Sequence, residues 1–290
     1  GATVQTIGKQ LQDQGLVRTA WAFEWYVRNH DARDRLQAGT YSLRPNQGVV
    51  EIVNILTHGK VATDKVTILP GQRLDQVREA LINNAGFSAA GVDAALNSNL
   101  YSDSPALSDK PSGANLEGYL YPETFQKTAD TKPEVIIRAS LDQMQKHLTP
   151  EIRAAIVKQG LTVHEGVILA SIIEQEVSNP KDKPVVAQIF LRRLKEGMQL
   201  GSDVTAFYGA IKAGQTPSVT YDSPYNTRLH PGLPPGPISN VSASSLAAVA
   251  QPASTDYLYF VAGDDGVTYF SHTLQEHQAL TAQHCKKLCE

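Results

Sequence analysis

Apolar positions along this chain recur mostly at helical spacing, in short runs cut by glycine and proline. Val4, Ile7 and Leu11 fall on one face of a helix that ends near Gly15, and Leu74, Val77 and Leu81 repeat the spacing ahead of Gly86. Residues 19–29 are predicted as a helix carrying Trp21, Phe23, Trp25 and Tyr26, rings expected chiefly to fill a core, with stacking on sugar rings as the alternative. Residues 38–43 alternate as a strand does, 44–48 make a turn, 49–56 read as a short helix, and 65–69 form a second strand closed by Pro70-Gly71. That order is a compact α+β module. Residues 97–114 read as loop. Further helices are predicted over 133–148, 150–159, 183–197 and 242–250, and from Thr273 to the end. Two strands over 257–262 and 267–270 flank Gly263-Asp264-Asp265-Gly266, a hairpin signal. Residues 223–239 hold too many prolines for helix or central strand, so they form a stiff loop suited to fixing Tyr225, Asn226 and Thr227, with a purely structural loop as the alternative.

One helix breaks its own pattern. Residues 162–176 are apolar at nearly every turn, yet at about 100° per residue Leu169, Ile172, Ile173 and Glu176 share one face. A carboxylate stands where the core stripe should continue. Such a group must be paired, hydrogen-bonded or protonated. Burial raises a glutamate pKa by up to roughly 3–5 units. A glutamate protonated near neutral pH is equipped to act as a general acid. The structural alternative is a buried glutamate bonded to an arginine or a helix end. Thr162 and Glu165 form a T-x-x-E capping box, which gives Glu165 a local task. Glu174 projects to another side, with Val167, Ala170 and Ser171. It reads as hydrogen-bonding support.

Composition narrows the field. A chain of 290 residues with a 41% apolar share can build one large or two modest domains. A formal charge of −3 argues against nucleic acid as partner. Phosphate-loop, dinucleotide, zinc-protease and serine-hydrolase motifs are absent. No apolar run of 18 residues occurs. The chain starts at Gly1 rather than Met, which reads as a processed or trimmed product, so a missing anchor carries no information. Cys285 and Cys289 are expected as free thiols on a frayed terminus. The alternatives are a strained disulfide or a weak metal site with His284.

Several short motifs occur in a fixed order: A-G-T-Y at 38–41, E-G-Y-L-Y-P-E-T at 117–124, L-A-S-I-I-E-Q-E at 169–176 and I-F-L-R-R-L at 189–194. M-Q-L-G-S-D at 198–203, Y-N-T at 225–227, G-L-P-P-G at 232–236 and Y-L-Y-F-V at 257–261 follow. Together they resemble the MltG (YceG-like) endolytic murein transglycosylases over nearly the whole chain. The resemblance implies an α+β fold. An N-terminal region over 1–105 contains a LysM-like module at about 37–70, and a mostly helical catalytic domain with short strands fills 106–290. It implies a bacterial enzyme that cuts nascent peptidoglycan within its glycan strands and so limits their elongation. It implies a single N-terminal anchor, here missing, and action at the periplasmic face of the inner membrane beside cell-wall synthases. No cofactor and no metal are implied. The family's catalytic acid is the second glutamate of its Glu-x-Glu pair, which falls on Glu176.

The mechanism expected on this resemblance uses one carboxyl twice. Protonated Glu176 protonates the glycosidic oxygen between MurNAc and GlcNAc, and the bond breaks through an oxocarbenium-like state. The carboxylate then takes the proton of the MurNAc C6 hydroxyl, which attacks C1 and closes a 1,6-anhydro ring. Tyr225 and Asn226 are expected to hold the sugar or its N-acetyl group, and Ser202 and Asp203 to contact substrate or brace the acid. A helix-capping role for Asp203 is the alternative. Two rivals stand beside this reading. A hydrolase needs a second carboxylate, with Asp182, Asp203 and Asp222 as candidates. A non-catalytic glycan-binding scaffold leaves the placement of Glu176 without a reason.

Overall fold

The computed structural model describes residues 2–39, 41, 43, 45, 47–58, 64–128 and 130–287 of the chain. The backbone divides into two compact units, Gly1–Lys65 with Gln126–Thr131, and Val66–Phe125 with Lys132–Glu290.

In the smaller unit, α1 (Val4–Asp13) and α2 (Ala20–Asn29) start on Thr3 and Thr19, whose hydroxyls accept the amides of Thr6 and Ala22. Gly8 lets them approach: a Cβ there would lie 3.2 Å from the Ala20 carbonyl. After a single 3₁₀ turn, Arg33–Arg35, α3 (Val49–His58) packs on α2. Leu11, Phe23, Val27, Ile52, Val53 and Leu56 form this unit's core. The expectation that the α2 rings are core holds for Phe23 and fails for Trp21 and Trp25, which are exposed. Of the strand expected over 38–43 and the turn over 44–48, Thr40, Ser42, Arg44 and Asn46 lie outside the described residues.

The next elements are β1 (Asp64–Thr67), α4 (Leu74–Asn83), α5 (Ala89–Ala95) and β2 (Thr124–Lys127), with 3₁₀ turns at Ser98–Tyr101 and Pro105–Leu107. β1, expected as the second strand of a LysM-like module, pairs with β2. That module is not confirmed. Residues 66–105, expected with the N-terminal region, belong to the larger unit, because Val66, Val77, Leu81 and Val92 join the same core as Leu169 and Ile173.

The larger unit continues with α6 (Pro133–His147), α7 (Pro150–Lys158), α8 (Val163–Glu176), α9 (Lys183–Lys195), α10 (Asp203–Lys212) and α11 (Ala243–Ala250). The antiparallel hairpin β3 (Tyr259–Ala262) and β4 (Thr268–Ser271) pairs Phe260 with Phe270. α12 (Leu274–His284) packs on both of these strands. α8 is the axis of this unit, in contact with α7, α9, α10 and α11. Among the described residues no single helix is long and apolar enough to cross a membrane.

Residues 284–287 are held by specific contacts. Cys285 is buried and disulfide-bonded, which corrects the free-thiol expectation; the chain's only other cysteine, Cys289, lies outside the described residues. The His284 ring stacks on Tyr269 with centroids 3.8 Å apart, and its carbonyl accepts the Asp264 amide at 2.7 Å. The Asp264 carboxylate in turn accepts the amides of Lys286 and Lys287. The tail is tied to the hairpin turn instead of fraying.

Candidate active site

The site is built at the last turn of α8. The capping box forms as the sequence requires: the Thr162 hydroxyl accepts the Glu165 amide at 3.2 Å, and the Glu165 carboxylate accepts the Thr162 amide at 2.7 Å. Val163 and every residue from Gly166 to Ile173 are buried, so this helix is apolar on all sides. Gly166 is required, since a Cβ there would meet the Ile156 side chain at 2.5 Å. Two loops hold the helix in place. The Ser171 hydroxyl accepts the Ile238 amide, and the Gln175 side chain donates to the Gly71 carbonyl at 2.6 Å. Asn240 links those loops, donating from its side chain to Leu69 and accepting the Gln72 amide.

Two carboxylates emerge from this end into opposite surroundings. Glu174 is enclosed and saturated. Its Oε2 accepts from Lys183 Nζ at 3.0 Å, the Ser242 amide at 3.1 Å, the Ser242 hydroxyl at 2.6 Å and the Ser245 hydroxyl at 2.5 Å. Burial pushes this carboxyl up, but the two hydroxyls and the ammonium outweigh it, and its pKa is held below the usual glutamate value. Glu174 thereby joins α8 to the start of α9 and the cap of α11.

Glu176 receives one hydrogen bond, from the Ser202 hydroxyl to Oε1 at 2.5 Å. Burial dominates here. It lifts the pKa to about 7, assisted by the negative charge of Asp203 and opposed by the Ser202 hydrogen bond and the Arg193 charge. Arg193 makes no hydrogen bond to it. Its guanidinium is spent on the carbonyls of Leu200 (2.5 Å) and Leu258 (2.9 and 2.7 Å) and lies 5.2 Å from the Tyr259 ring centroid. Ser202 is the N-cap of α10. It is fixed by a buried hydroxyl cluster: its amide donates to Thr227 Oγ1, its carbonyl accepts from Thr205 Oγ1, and the two threonine hydroxyls bond each other at 2.8 Å. Asp203 pairs with Arg228 at 2.5 Å on the surface, one residue past the cap.

Tyr225 and Asn226 sit in the same loop as Thr227 but face other partners. Asn226 is fully buried, and its amide donates to the carbonyls of Val219 and Tyr221. It braces the loop and has no NH₂ donor left for a sugar in this conformation. The half-buried Tyr225 ring packs on Tyr208 with centroids 4.7 Å apart. The Tyr208 hydroxyl donates to Glu117, which also accepts the Leu74 amide at 2.8 Å. Burial raises the pKa of Glu117 too, to about 7. α10 therefore carries Ser202 to one protonatable glutamate and Tyr208 to another.

The profile of the YceG-like family matches residues 1–283. The chain belongs to the YceG-like family. Over 292 residues it is 32% identical to an endolytic murein transglycosylase of Bacillus subtilis (strain 168), covering 96% of this chain and 81% of that protein. An endolytic murein transglycosylase of Streptococcus pneumoniae serotype 2 (strain D39) is 30% identical over 317 residues; the match covers 98% of this chain but 57% of that longer protein. The crystal structure of a yceG-like protein from Listeria monocytogenes superposes with a TM-score of 0.65 at 32% identity, covering 97% of this chain and 96% of that one.

Within this YceG-like chain the structure brings Ser202 and Glu176 together across 26 positions. Sequence reasoning named Thr227 only as a loop residue held with Tyr225 and Asn226, and missed Thr205 and Arg193 as members of the site. Arg193 reads as an ordinary polar position of an amphipathic helix, and nothing local announces that its partners lie at 200 and 258. The bond between Thr205 and Thr227 could be found only by asking what fixes Ser202 once it is placed against the acid.

Proposed function

We propose that this chain is an endolytic lytic transglycosylase that cleaves the bond between MurNAc and GlcNAc within peptidoglycan strands and leaves 1,6-anhydro-MurNAc ends. The observation that carries the reading is Glu176, the last residue of a buried helix, with a pKa near 7 and one hydroxyl as its partner. The names of the relatives from Bacillus and Streptococcus support the reaction class.

The chemistry follows from that placement. A carboxyl with a pKa near 7 is protonated in a useful fraction at neutral pH and is also a competent base once ionised. Protonation of the glycosidic oxygen leaves a carboxylate on Glu176. That charge is stabilised by the Ser202 hydroxyl and the Arg193 guanidinium, the two groups that oppose its protonation. The carboxylate then removes the proton of the C6 hydroxyl. The C6 oxygen attacks C1 within the same sugar, and the tether supplies much of the positioning that a free water lacks. Hydrolysis is not favoured, because the relatives that support the reaction class are named transglycosylases.

The same reading extends to place and company: the outer face of a bacterial inner membrane, reached through an N-terminal anchor, beside the synthases that supply new strands. The disulfide at Cys285 supports an oxidising compartment.

The deciding experiment is a digest of purified, uncrosslinked strands by the wild type and its Glu176→Gln variant, read by mass spectrometry. Anhydro-ended fragments from the wild type alone are expected. Reducing MurNAc ends mean hydrolysis, and equal cleavage by both proteins removes Glu176 from the mechanism.

A further inference from the structure

The face of α2 opposite the core carries two large rings that the chemistry at Glu176 does not use. Trp21 is 70% exposed and Trp25 is 51% exposed. They stand one helical turn apart, with centroids separated by 6.4 Å and planes inclined by 30°. Exposed Arg28 lies three positions after Trp25 on the same helix, and exposed Arg18 precedes the N-cap Thr19, so the pair has an arginine on either side of it in the sequence. In the smaller unit only Val50 is another large apolar side chain exposed to this degree among the described residues. The apolar surface is a two-ring island and not a broad band.

We propose that Trp21 and Trp25 form a docking site for a glycan strand, with Arg18 and Arg28 holding carboxylates that the strand carries; this rests on peptidoglycan being the substrate. The C–H face of a pyranose ring is apolar and slightly positive, which matches the negative face of an indole. Two indoles on consecutive turns lie in line along the helix. The ten residues of α2 span about 15 Å at 1.5 Å per residue, enough to lie along successive sugars of a linear polymer. Stem peptides add carboxylates beside the sugar chain, and guanidinium groups pair with carboxylates in a two-pronged fashion. A bilayer surface is the weaker match, because interfacial docking uses a continuous apolar face, whereas Phe23 and Val27 of α2 are buried in the core and Tyr26 is partly buried.

The test is equilibrium binding of the full chain, in the Glu176→Gln background so that strands stay intact, to purified uncrosslinked glycan strands. Trp21→Ala with Trp25→Ala should weaken binding by about tenfold or more, as loss of an aromatic anchor does, with the thermal midpoint unchanged because both rings face solvent. Arg18→Ala with Arg28→Ala should weaken binding to strands that keep their stem peptides and leave binding to peptide-stripped strands unchanged. Undiminished binding by the double tryptophan variant overturns the proposal. So does tryptophan-dependent binding to phosphatidylglycerol vesicles in place of strands. Failure of the transglycosylase reading shows separately, as a wild type that binds through its tryptophans and yields no anhydro ends.

Discussion

Glu174 and Glu176 leave the same helical turn, two residues apart, and end in opposite chemical states. One is surrounded by four donor atoms, including an ammonium, and is held ionised. The other is half-buried, with one hydroxyl and a guanidinium that does not bond it, and keeps its proton to about pH 7. Burial is common to both, so burial alone does not make a catalytic acid. The number of donors decides. Glu174 is stabilised as a charge and serves as a joint, whereas Glu176 is left short of partners and is reactive.

Removal of the reactive carboxyl should produce the largest effect. Glu176→Gln is expected to lower cleavage by on the order of 10²–10⁴-fold, measured by release of anhydro ends, while the protein remains folded. The joint should fail differently. Glu174→Ala leaves Lys183 buried without its partner, a class of change that costs about 3–5 kcal/mol; the thermal midpoint should fall, and Lys183→Met in the same chain should restore much of it. A Glu174→Ala protein that keeps its stability and loses only activity would reverse the assignment of the two glutamates.

A smaller effect is expected from Ser202→Ala. The hydrogen bond it removes favours the carboxylate, so the pKa of Glu176 should rise and the alkaline limb of kcat/KM should move upward from about pH 7. The catalytic rate should fall as the carboxylate loses a charge-assisted hydrogen bond worth about 1.5–3 kcal/mol. The last is a linkage effect on stability. The Glu176 carboxyl ionises near 4.5 in the unfolded chain and near 7 in the folded one. Its contribution to stability is therefore complete below about pH 4.5 and is lost as pH rises through 7. Relative to wild type, Glu176→Gln should be more stable at pH 8 than at pH 4. For Glu174, whose pKa is lowered, the sign is reversed: its contribution is present above the unfolded value and lost in acid.

The contrast between the two glutamates was partly legible in the sequence. Helical period separated their faces and singled out Glu176, and the capping box fixed where α8 begins. Periodicity could not see that Glu174 meets serines near 242, since those contacts span nearly 70 positions. The hairpin and most helices were readable because turn residues and apolar spacing are local signals. α5, Ala89–Ala95, was not: its small side chains carry no amphipathic pattern. The rings of α2 show the limit from the other side. Composition favours aromatics in the core, and only the packing of α1 and α3 determines which face of α2 is covered.

Arg193 has a consequence in time. Its guanidinium reaches forward to the carbonyl of Leu258, so the positive charge beside Glu176 acquires its full set of acceptors only when the final hairpin exists. A chain synthesised from its N-terminus folds domain by domain, and this enzyme should stay idle until the β3–β4 hairpin has been made. A chain ending before Leu258 should fold its helices and cleave poorly; a truncated chain with full activity would show that the hairpin is dispensable.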